Sequence, residues 1–323
     1  MKKTLIFITL LFTIILSSCN NEKQENTQIL PDKIAQTTTK VEKPVIYTSF
    51  YPIYFLTKSL VGDEVDVINL VPAGGEPHDF EPTLKQVAEM GKSKMIILNG
   101  LGIESYEEKL LESIKNVPIV MISEQLKNLI NLDNNKKVKT ADLHDDEHGH
   151  DHGNIDPHTW LSPKQYRDMA DILVVELEKN GFTNLDKSIL QKISDLDAKY
   201  NKDLEKCKMI QLVSSHAAFG YFARDYGFRQ KAIFGISPNQ EPSAKDISAV
   251  ITLIKNQKLK YIFSEQFVSP KFSEAIKLET GVSVLNLHPL ETLSQDEESK
   301  KLDYISIMES NLWDLKTGLE CSN

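Results

Sequence analysis

The sequence predicts an α/β fold of two similar parallel-sheet lobes joined by a long helix, and three observations lead to this prediction. From Pro44 onward, short β-branched segments alternate with segments of helical periodicity, which is typical of parallel strands with helices on both faces of the sheet. The alternation pauses in the middle of the chain, where two longer amphipathic segments stand, and then starts again. The roughly 280 residues after residue 43 are enough for two lobes of ordinary size.

The first lobe is predicted to span residues 44–185. Its strands are the apolar segments Val45–Ser49, Val65–Leu70, Met95–Asn99 and Pro118–Ile122. The helical segments between them are Tyr51–Val61, Thr83–Met90 and Glu104–Lys115. Short apolar strands that are separated by helices indicate a parallel sheet that is buried on both faces.

Two longer helices are predicted between the two series of alternating strands and helices, at Pro163–Lys179 and Asp186–Lys206. In the second of them, apolar residues recur at helical spacing: Ile189, Ile193, Leu196, Tyr200 and Leu204. Residues 186–206 are therefore expected to form the helix that links the lobes. Because bending a helix breaks its backbone hydrogen bonds, this link predicts that the lobes do not close by a large hinge motion.

The alternation returns in residues 207–323, the predicted second lobe. Its strands are Met209–Ser214, Lys231–Phe234, Lys260–Ser264 and Ser283–Leu287. Its helices are Ala217–Tyr226, Ser243–Asn256 and Lys271–Thr280. Ligands of open α/β sheets bind beyond the carboxyl ends of the strands, so a site is expected in the cleft between the lobes.

The first residues of the chain have the pattern of an export signal. Two lysines precede the apolar run Leu5–Leu16, which is too short to span a bilayer. The following Leu-Ser-Ser-Cys matches the lipobox of bacterial lipoproteins, so residues 1–18 are predicted to be a signal peptide and Cys19 the lipidated residue. An ordinary signal peptide with an incidental cysteine is the alternative. Residues 19–43 are too polar to fold alone and are predicted to be a flexible tether.

The chain is acidic, with 46 acidic and 37 basic residues and a formal net charge of −9. A surface of this sign disfavours nucleic acid and mildly favours the capture of cations. Two cysteines remain besides Cys19, namely Cys207 and Cys321. In an oxidising compartment these two are predicted to pair, and two free buried thiols are the alternative.

Four of the eight histidines lie in separate contexts that are expected to converge: His78 in HDFEP, His158 in DPHTW, His216 in SSHAAFGYF and His288 in NLHPLE. Three of them follow predicted strands, and His158 precedes the helix that begins at Pro163. Neutral imidazoles are good ligands for Zn²⁺, and four of them fill its tetrahedral coordination. The sequence therefore predicts a metal site in the cleft, in a protein that holds a transition metal.

At these residues the chain resembles the metal-specific solute-binding proteins of bacterial ABC importers, the zinc and manganese group. Collinear motifs carry the resemblance over nearly the whole mature sequence: AGGEPHDFEPTLKQV, NIDPHTWLSP, SSHAAFGYFARDYG, ISPNQEPSAKDI, FSEQFVSP and LNLHPLE. The resemblance implies that His78, His158 and His216 are metal ligands. A histidine as third ligand is similar to the zinc branch, since the manganese branch usually places Glu there.

The fourth ligand position departs from part of the family. Asp or Glu is common there, whereas this chain is expected to supply His288. Four imidazoles add no negative charge, so the bound ion would keep its charge of +2 unless neighbouring carboxylates compensate it. The candidates within the matching motifs are Glu76, Glu81, Asp156, Glu241 and Glu265. Each acid has the alternative role of a local hydrogen-bond partner, and the alternative for His288 is that another group or water completes the site.

Residues 142–153, DLHDDEHGHDHG, combine five acids with four histidines: His144, His148, His150 and His152. Zinc members of the family often carry such a loop just before the second ligand. A segment of this composition binds metal loosely because its flexibility prevents a single geometry. It is predicted to be an auxiliary low-affinity site, and a solvated linker without a metal role is the alternative.

The resemblance implies a monomeric receptor outside the cytoplasm, lipid-anchored to a bacterial membrane, that delivers Zn²⁺ to an ABC permease driven by a separate ATPase. The chain has no P-loop motif and is not expected to hydrolyse ATP. A zinc hydrolase is one alternative, although catalytic zinc needs an open coordination position and no HExxH motif is present. A surface adhesin with structural zinc and a manganese or iron receptor of the same family are the others.

Overall fold

The computed structural model describes residues 43–132 and 154–322, and it confirms the α/β prediction in these ranges. The predicted signal peptide, Cys19, nearly all of the tether and the histidine-rich loop of residues 142–153 lie outside the described residues. Among the residues that are described, no helix is both long and apolar enough to cross a membrane.

The first half of the chain forms a four-stranded parallel sheet. In chain order the strands are β1 (Val45–Thr48), β2 (Asp66–Asn69), β3 (Met95–Leu98) and β4 (Ile119–Met121), and their spatial order is β2-β1-β3-β4. Each crossover contains a helix: α1 (Tyr51–Val61), α2 (Leu84–Met90) and α3 (Glu107–Ser113). Every residue of the central strand β3 is buried, because helices cover both faces of the sheet.

Two helices follow, α4 (Pro163–Lys179) and α5 (Ser188–Leu204), and they pack against each other. The hydroxyl of Ser162 caps α4 by accepting a hydrogen bond from the backbone N–H of Gln165. The five apolar residues that the sequence placed on one face of α5 are the buried ones, which confirms that prediction.

The second half contains two parallel strand pairs, β5 (Gln211–Ser214) with β6 (Arg229–Ala232) and β7 (Tyr261–Ser264) with β8 (Ser283–Asn286). Strand β5 lies beside β7, so the two pairs form one layer. The helices of this half are α6 (Gly220–Tyr226), α7 (Ala244–Gln257), α8 (Lys271–Thr280), α9 (Gln295–Ser299) and α10 (Tyr304–Gly318). The sequence did not predict α9 and α10, and it placed β6 two residues too late.

One hydrophobic core runs from the first half through α4 and α5 into the second half. Three buried tyrosine hydroxyls tie its parts together by donating to backbone carbonyls: Tyr166 to Pro52, Tyr200 to Met308 and Tyr304 to Trp160. A disulfide joins Cys207, just before β5, to Cys321, just after α10. These contacts join helices of the two halves to one another and fix the end of α10 near β5.

Candidate metal centre

Three histidines meet where strands of both halves end. His78 lies in the loop between β2 and α2, and His216 lies two residues beyond β5. His158 lies just ahead of the short 3₁₀ turn Thr159–Leu161, which leads into α4. This is the side of an α/β sheet on which ligands bind. The fourth member of the cluster is Glu291, in the loop after β8.

The four side chains direct one atom each to a common point. Nε2 of His78 lies 3.3 Å from Nε2 of His158, and Nε2 of His216 lies 3.2 Å from Oε1 of Glu291. The same Glu291 oxygen is 3.6 Å from Nε2 of His158 and 3.8 Å from Nε2 of His78. Ligand atoms around a tetrahedral zinc with bonds of about 2.1 Å are separated by about 3.4 Å. The cluster therefore has the dimensions of a zinc site.

Among the described residues, His78, His158, His216 and Glu291 form a cluster that could hold a metal ion, and their four ligand atoms lie within 4.8 Å of one another. His158 and His216 are fully buried, Glu291 is buried, and His78 retains slight exposure. A group of three nitrogens and one carboxylate oxygen suits Zn²⁺.

Acidic side chains orient two of the histidine rings. One oxygen of Asp156 accepts from the backbone N–H of His158 at 3.0 Å and lies 2.8 Å from its Nδ1. Glu265 accepts the backbone N–H of His216 with one oxygen, at 3.1 Å, and lies 2.6 Å from Nδ1 with the other. An Nδ1–H that donates to a carboxylate leaves the lone pair of Nε2 directed at the cluster.

The remaining acids suggested by the sequence lie in different places. Glu76 accepts the backbone N–H of His78 at 3.1 Å. Glu81 forms an exposed ion pair with Lys109 at 3.1 Å. Glu241 lines a cavity of about 320 Å³ that reaches Glu291. The structure thus brings Glu76, Asp156 and Glu265 to the ligand histidines, and it leaves Glu81 at the surface.

Gly220, the first residue of α6, permits the close approach of Asp156. A Cβ at this position would collide with Oδ2 of Asp156. The adjacent Tyr221 donates its hydroxyl hydrogen to the carbonyl of Asp156 at 2.8 Å. A helix from the second half therefore supports the loop that presents His158.

The charges of the cluster compensate one another. Burial, followed by the neighbouring His158, lowers the pKa of His78 to about 3. Burial also opposes protonation of His216, but the negative charges of Glu265 and Glu291 outweigh it and hold the pKa of His216 well above its ordinary value. Burial disfavours ionisation of Glu291, yet the positive charge of His216 keeps its pKa below the usual range. A bound cation would take the place of the protons.

The cavity lies beside the cluster, and Glu291 is one of its lining residues. Its walls come from both halves of the chain and include Glu76, Asn239, Phe267 and Lys271. Across its rim, the side-chain amide of Asn239 donates to Asp79, the residue after His78. The cavity therefore extends from the cluster member Glu291 to the side chains at its rim.

His288, the fourth ligand expected from the sequence, is not part of the cluster, and Glu291 takes that place. Nδ1 of His288 accepts the backbone N–H of Leu290 at 2.8 Å, so its lone pair is used. Nε2 faces Oε1 of Glu297 at 3.4 Å. A neutral ring that accepts with Nδ1 carries its proton on Nε2, so neither nitrogen offers a lone pair to a metal.

Glu291 was missed although a signal for it is present. It stands three residues after His288 in the motif NLHPLE, within the same loop. Leu290 between them has a φ of 59°, which turns the backbone and separates the directions of the two side chains. The carboxylate of Glu291, three residues after the expected ligand His288, was the feature of the sequence that could have indicated the fourth ligand.

Comparisons with known proteins match this geometry. Residues 46–318 match the family model of ZnuA, described as zinc-uptake complex component A periplasmic. The chain is 32% identical over 322 residues to the zinc-binding lipoprotein AdcA of Streptococcus pneumoniae, covering 98% of this chain and 61% of that protein. It is 30% identical over 328 residues to the high-affinity zinc uptake system protein ZnuA of Bacillus subtilis, covering 97% of each.

A solved structure shows the same fold. The crystal structure of the Zn(II)-bound ZnuA-like domain of Streptococcus pneumoniae AdcA aligns with a TM-score of 0.70 and 31% identity, over 86% of this chain and 100% of that one. The chain spans less than two thirds of the length of full AdcA.

Proposed function

Because the chain belongs to the ZnuA family of zinc-uptake components, we propose that it is an extracytoplasmic receptor that binds Zn²⁺ and delivers it to an ABC permease. The observation that carries the proposal is the buried cluster of His78, His158, His216 and Glu291. The four groups would hold the ion in a filled tetrahedron.

The ligand set favours zinc over manganese. Three neutral nitrogens and one carboxylate suit Zn²⁺, whereas Mn²⁺ prefers more oxygen ligands. The negative charge of Glu291, together with Asp156 and Glu265 behind the rings, compensates the charge of the ion. A manganese or iron receptor is therefore the weaker alternative.

Binding rather than hydrolysis is the expected role of the ion. A catalytic zinc keeps one position open for water or substrate, and here four protein atoms converge on the same point. The names of the relatives, zinc-binding lipoprotein and zinc uptake system protein, support transport rather than adhesion or catalysis.

The remaining parts of the proposal concern the partners. The receptor would be lipid-anchored through Cys19 and would act as a monomer with a permease and a separate ATPase. The histidines of residues 142–153 would capture metal loosely before it reaches the cavity. Deletion of this loop should leave the tightest binding step unchanged, while reducing the total zinc bound at high metal concentration.

The test is zinc binding by the purified lipid-free chain after removal of metal with a chelator. Competition with a zinc-binding dye should give one tight equivalent per chain. Glu291→Gln should lose more than about 100-fold in affinity, since even partners behind the ligands are worth 10–100-fold. Glu241→Gln, which changes a cavity wall outside the cluster, is the matched control and should bind like the wild type. A wild-type chain without a tight zinc site would refute the proposal.

A further inference from the structure

The turn that carries Glu291 is held from two other elements. Asn311 on α10 accepts the backbone N–H of His288 and donates to its carbonyl, both at 2.8 Å. The indole N–H of Trp160 donates to the carbonyl of Pro289 at 2.8 Å. Trp160 follows His158 by two residues, so this bond links the loops of two cluster members. Asn311 and Trp160 thus fix the first half of the turn.

The side chain of His288 fixes the second half. Its Nδ1 accepts the backbone N–H of Leu290 at 2.8 Å. Leu290 has a φ of 59°, in the left-handed region that is sterically unfavourable for a residue with a Cβ. The hydrogen bond offsets this cost and holds the residue immediately before Glu291 in the turned conformation.

The ring of His288 is buried and contacts protein groups, as expected for a side chain with a structural role. Only 3% of the residue is exposed, and the N–H of Nε2 faces the carboxylate of Glu297. An Asn side chain forms the same type of turn, because its Oδ1 accepts from the backbone N–H two residues later. Nδ1 of His288 occupies the position of this Oδ1, because both atoms are three bonds from Cα.

We infer that His288 is a positioning residue for zinc binding, which holds the 288–291 turn so that Glu291 points at the three ligand histidines. This inference rests on the proposed function. It assigns to His288 an effect on affinity that passes through Glu291, without contact between His288 and the ion.

Two substitutions separate the ring nitrogens. In His288→Asn, Oδ1 occupies the place of Nδ1 and keeps the bond to Leu290. In His288→Gln, the terminal amide occupies the place of Nε2 and keeps only the contact with Glu297. The Asn variant should bind zinc within about threefold of the wild type, and the Gln variant should lose about 10- to 100-fold, the range for groups that orient ligands.

A double-mutant cycle tests whether the effect passes through Glu291. In the Glu291→Gln background, adding His288→Gln should change zinc affinity by less than about threefold, because the group that His288 positions is already lost. Circular dichroism and thermal unfolding of every metal-free variant verify the fold. A full additional loss in that background would make His288 a ligand itself and overturn the inference.

Other outcomes are also decisive. Loss of affinity in His288→Asn with retention in His288→Gln would assign the role to Nε2 and its contact with Glu297. Wild-type affinity in both variants would show that the turn needs no side-chain support. If instead the wild type and Glu291→Gln bind zinc equally, the proposed ligand set fails before the role of His288 is reached.

Discussion

At the scale of single residues, the site depends on carboxylates that fix the histidine rings. His158 and His216 each contact one acid through both the backbone N–H and Nδ1. For His78, the contact with the acid behind it is the hydrogen bond from its backbone N–H to Glu76. Two of the three rings are therefore oriented before a metal binds, which reduces the entropic cost of binding.

Glu265→Gln is expected to weaken zinc binding by about 10- to 100-fold. The carboxylate accepts two hydrogen bonds from His216, whereas an amide has one acceptor oxygen and would place its NH₂ against a donor. Chelator competition measures the change. Glu81→Gln removes a surface ion pair with Lys109 and should bind as the wild type does. Equal losses in the two variants would mean that general charge, not ring orientation, controls affinity.

The sequence indicates three of the four cluster members, and the reason is topological. His78, His158 and His216 follow or flank predicted elements at the carboxyl edge of the strands, where ligands of open α/β sheets bind. The choice between His288 and Glu291 depends on the backbone direction at Leu290. A positive φ at a leucine has no sequence signal, so the motif offers both His288 and Glu291 and does not decide between them.

The buried Glu104 predicts a pH dependence of stability away from the site. Burial raises its pKa from 4.5 to about 7, although its oxygens accept the backbone N–H groups of Asn99 and Gly100. The titratable neighbours Tyr106 and Glu107 also have raised pKa values. When the pKa of a carboxyl is higher in the folded chain than in the unfolded chain, the protonated group stabilises the fold. This contribution is complete at pH values below the pKa of the unfolded chain. That contribution is lost as pH rises through 7.

Between about pH 5 and pH 8, the wild type should therefore lose up to about 3 kcal/mol of unfolding free energy relative to Glu104→Gln. The glutamine has no charge to bury, so its own cost is the same at both pH values. Urea unfolding of both proteins at the two pH values measures the difference. A difference that does not change with pH would show that Glu104 ionises equally in the folded and unfolded chain.

At the scale of elements, periodicity predicts those that repeat and misses those that do not. Helices α1, α4 and α8 have the predicted bounds, because apolar spacing and their flanking residues agree. Helix α10 was missed although Asp303 caps it and buried residues recur along one face. The alternation of strands with helices does not require a helix after the last strand, so only the folded core reveals its place beside α5.

The position of β6 has a related explanation. Its residues Arg229–Ala232 are polar in sequence and only partly buried, since β6 pairs with β5 alone. The more apolar Ile233 and Phe234 come directly after the residues that pair with β5 and are not part of the strand. Apolar content locates the core, and it does not determine the register of an edge strand.

The disulfide between Cys207 and Cys321 should stabilise the second half of the chain. It closes a sequence separation of 114 residues and anchors the end of α10 next to β5. In the chain-entropy model, a loop of this length is worth up to about 4–5 kcal/mol. The double variant Cys207→Ser/Cys321→Ser should therefore unfold at lower urea concentration, as should the reduced wild type. Unfolding midpoints equal to that of the oxidised wild type would contradict a stabilising bridge.

At the scale of the whole molecule, the two halves are joined by more than a single helix. The main core continues through α4, α5 and α10, and buried tyrosines bond these helices to both halves. The Asp79–Asn239 contact and the bond from Gly74 to the carbonyl of Leu293 cross the cleft as well. Rotation of one half against the other would break buried contacts at several points, so rigid halves with small loop movements are the expected response to zinc.

Solution scattering of the metal-free and zinc-loaded chain tests this rigidity. A compact chain of this size has a radius of gyration of about 19 Å, and zinc should change it by less than about 1 Å, as in pre-organised complexes. Replacing Asn239 with Ala removes one cross-cleft contact and leaves the core intact, so this variant should show the same small change. A zinc-dependent contraction of several ångströms would instead mean that α5 bends or that the core separates in the metal-free state.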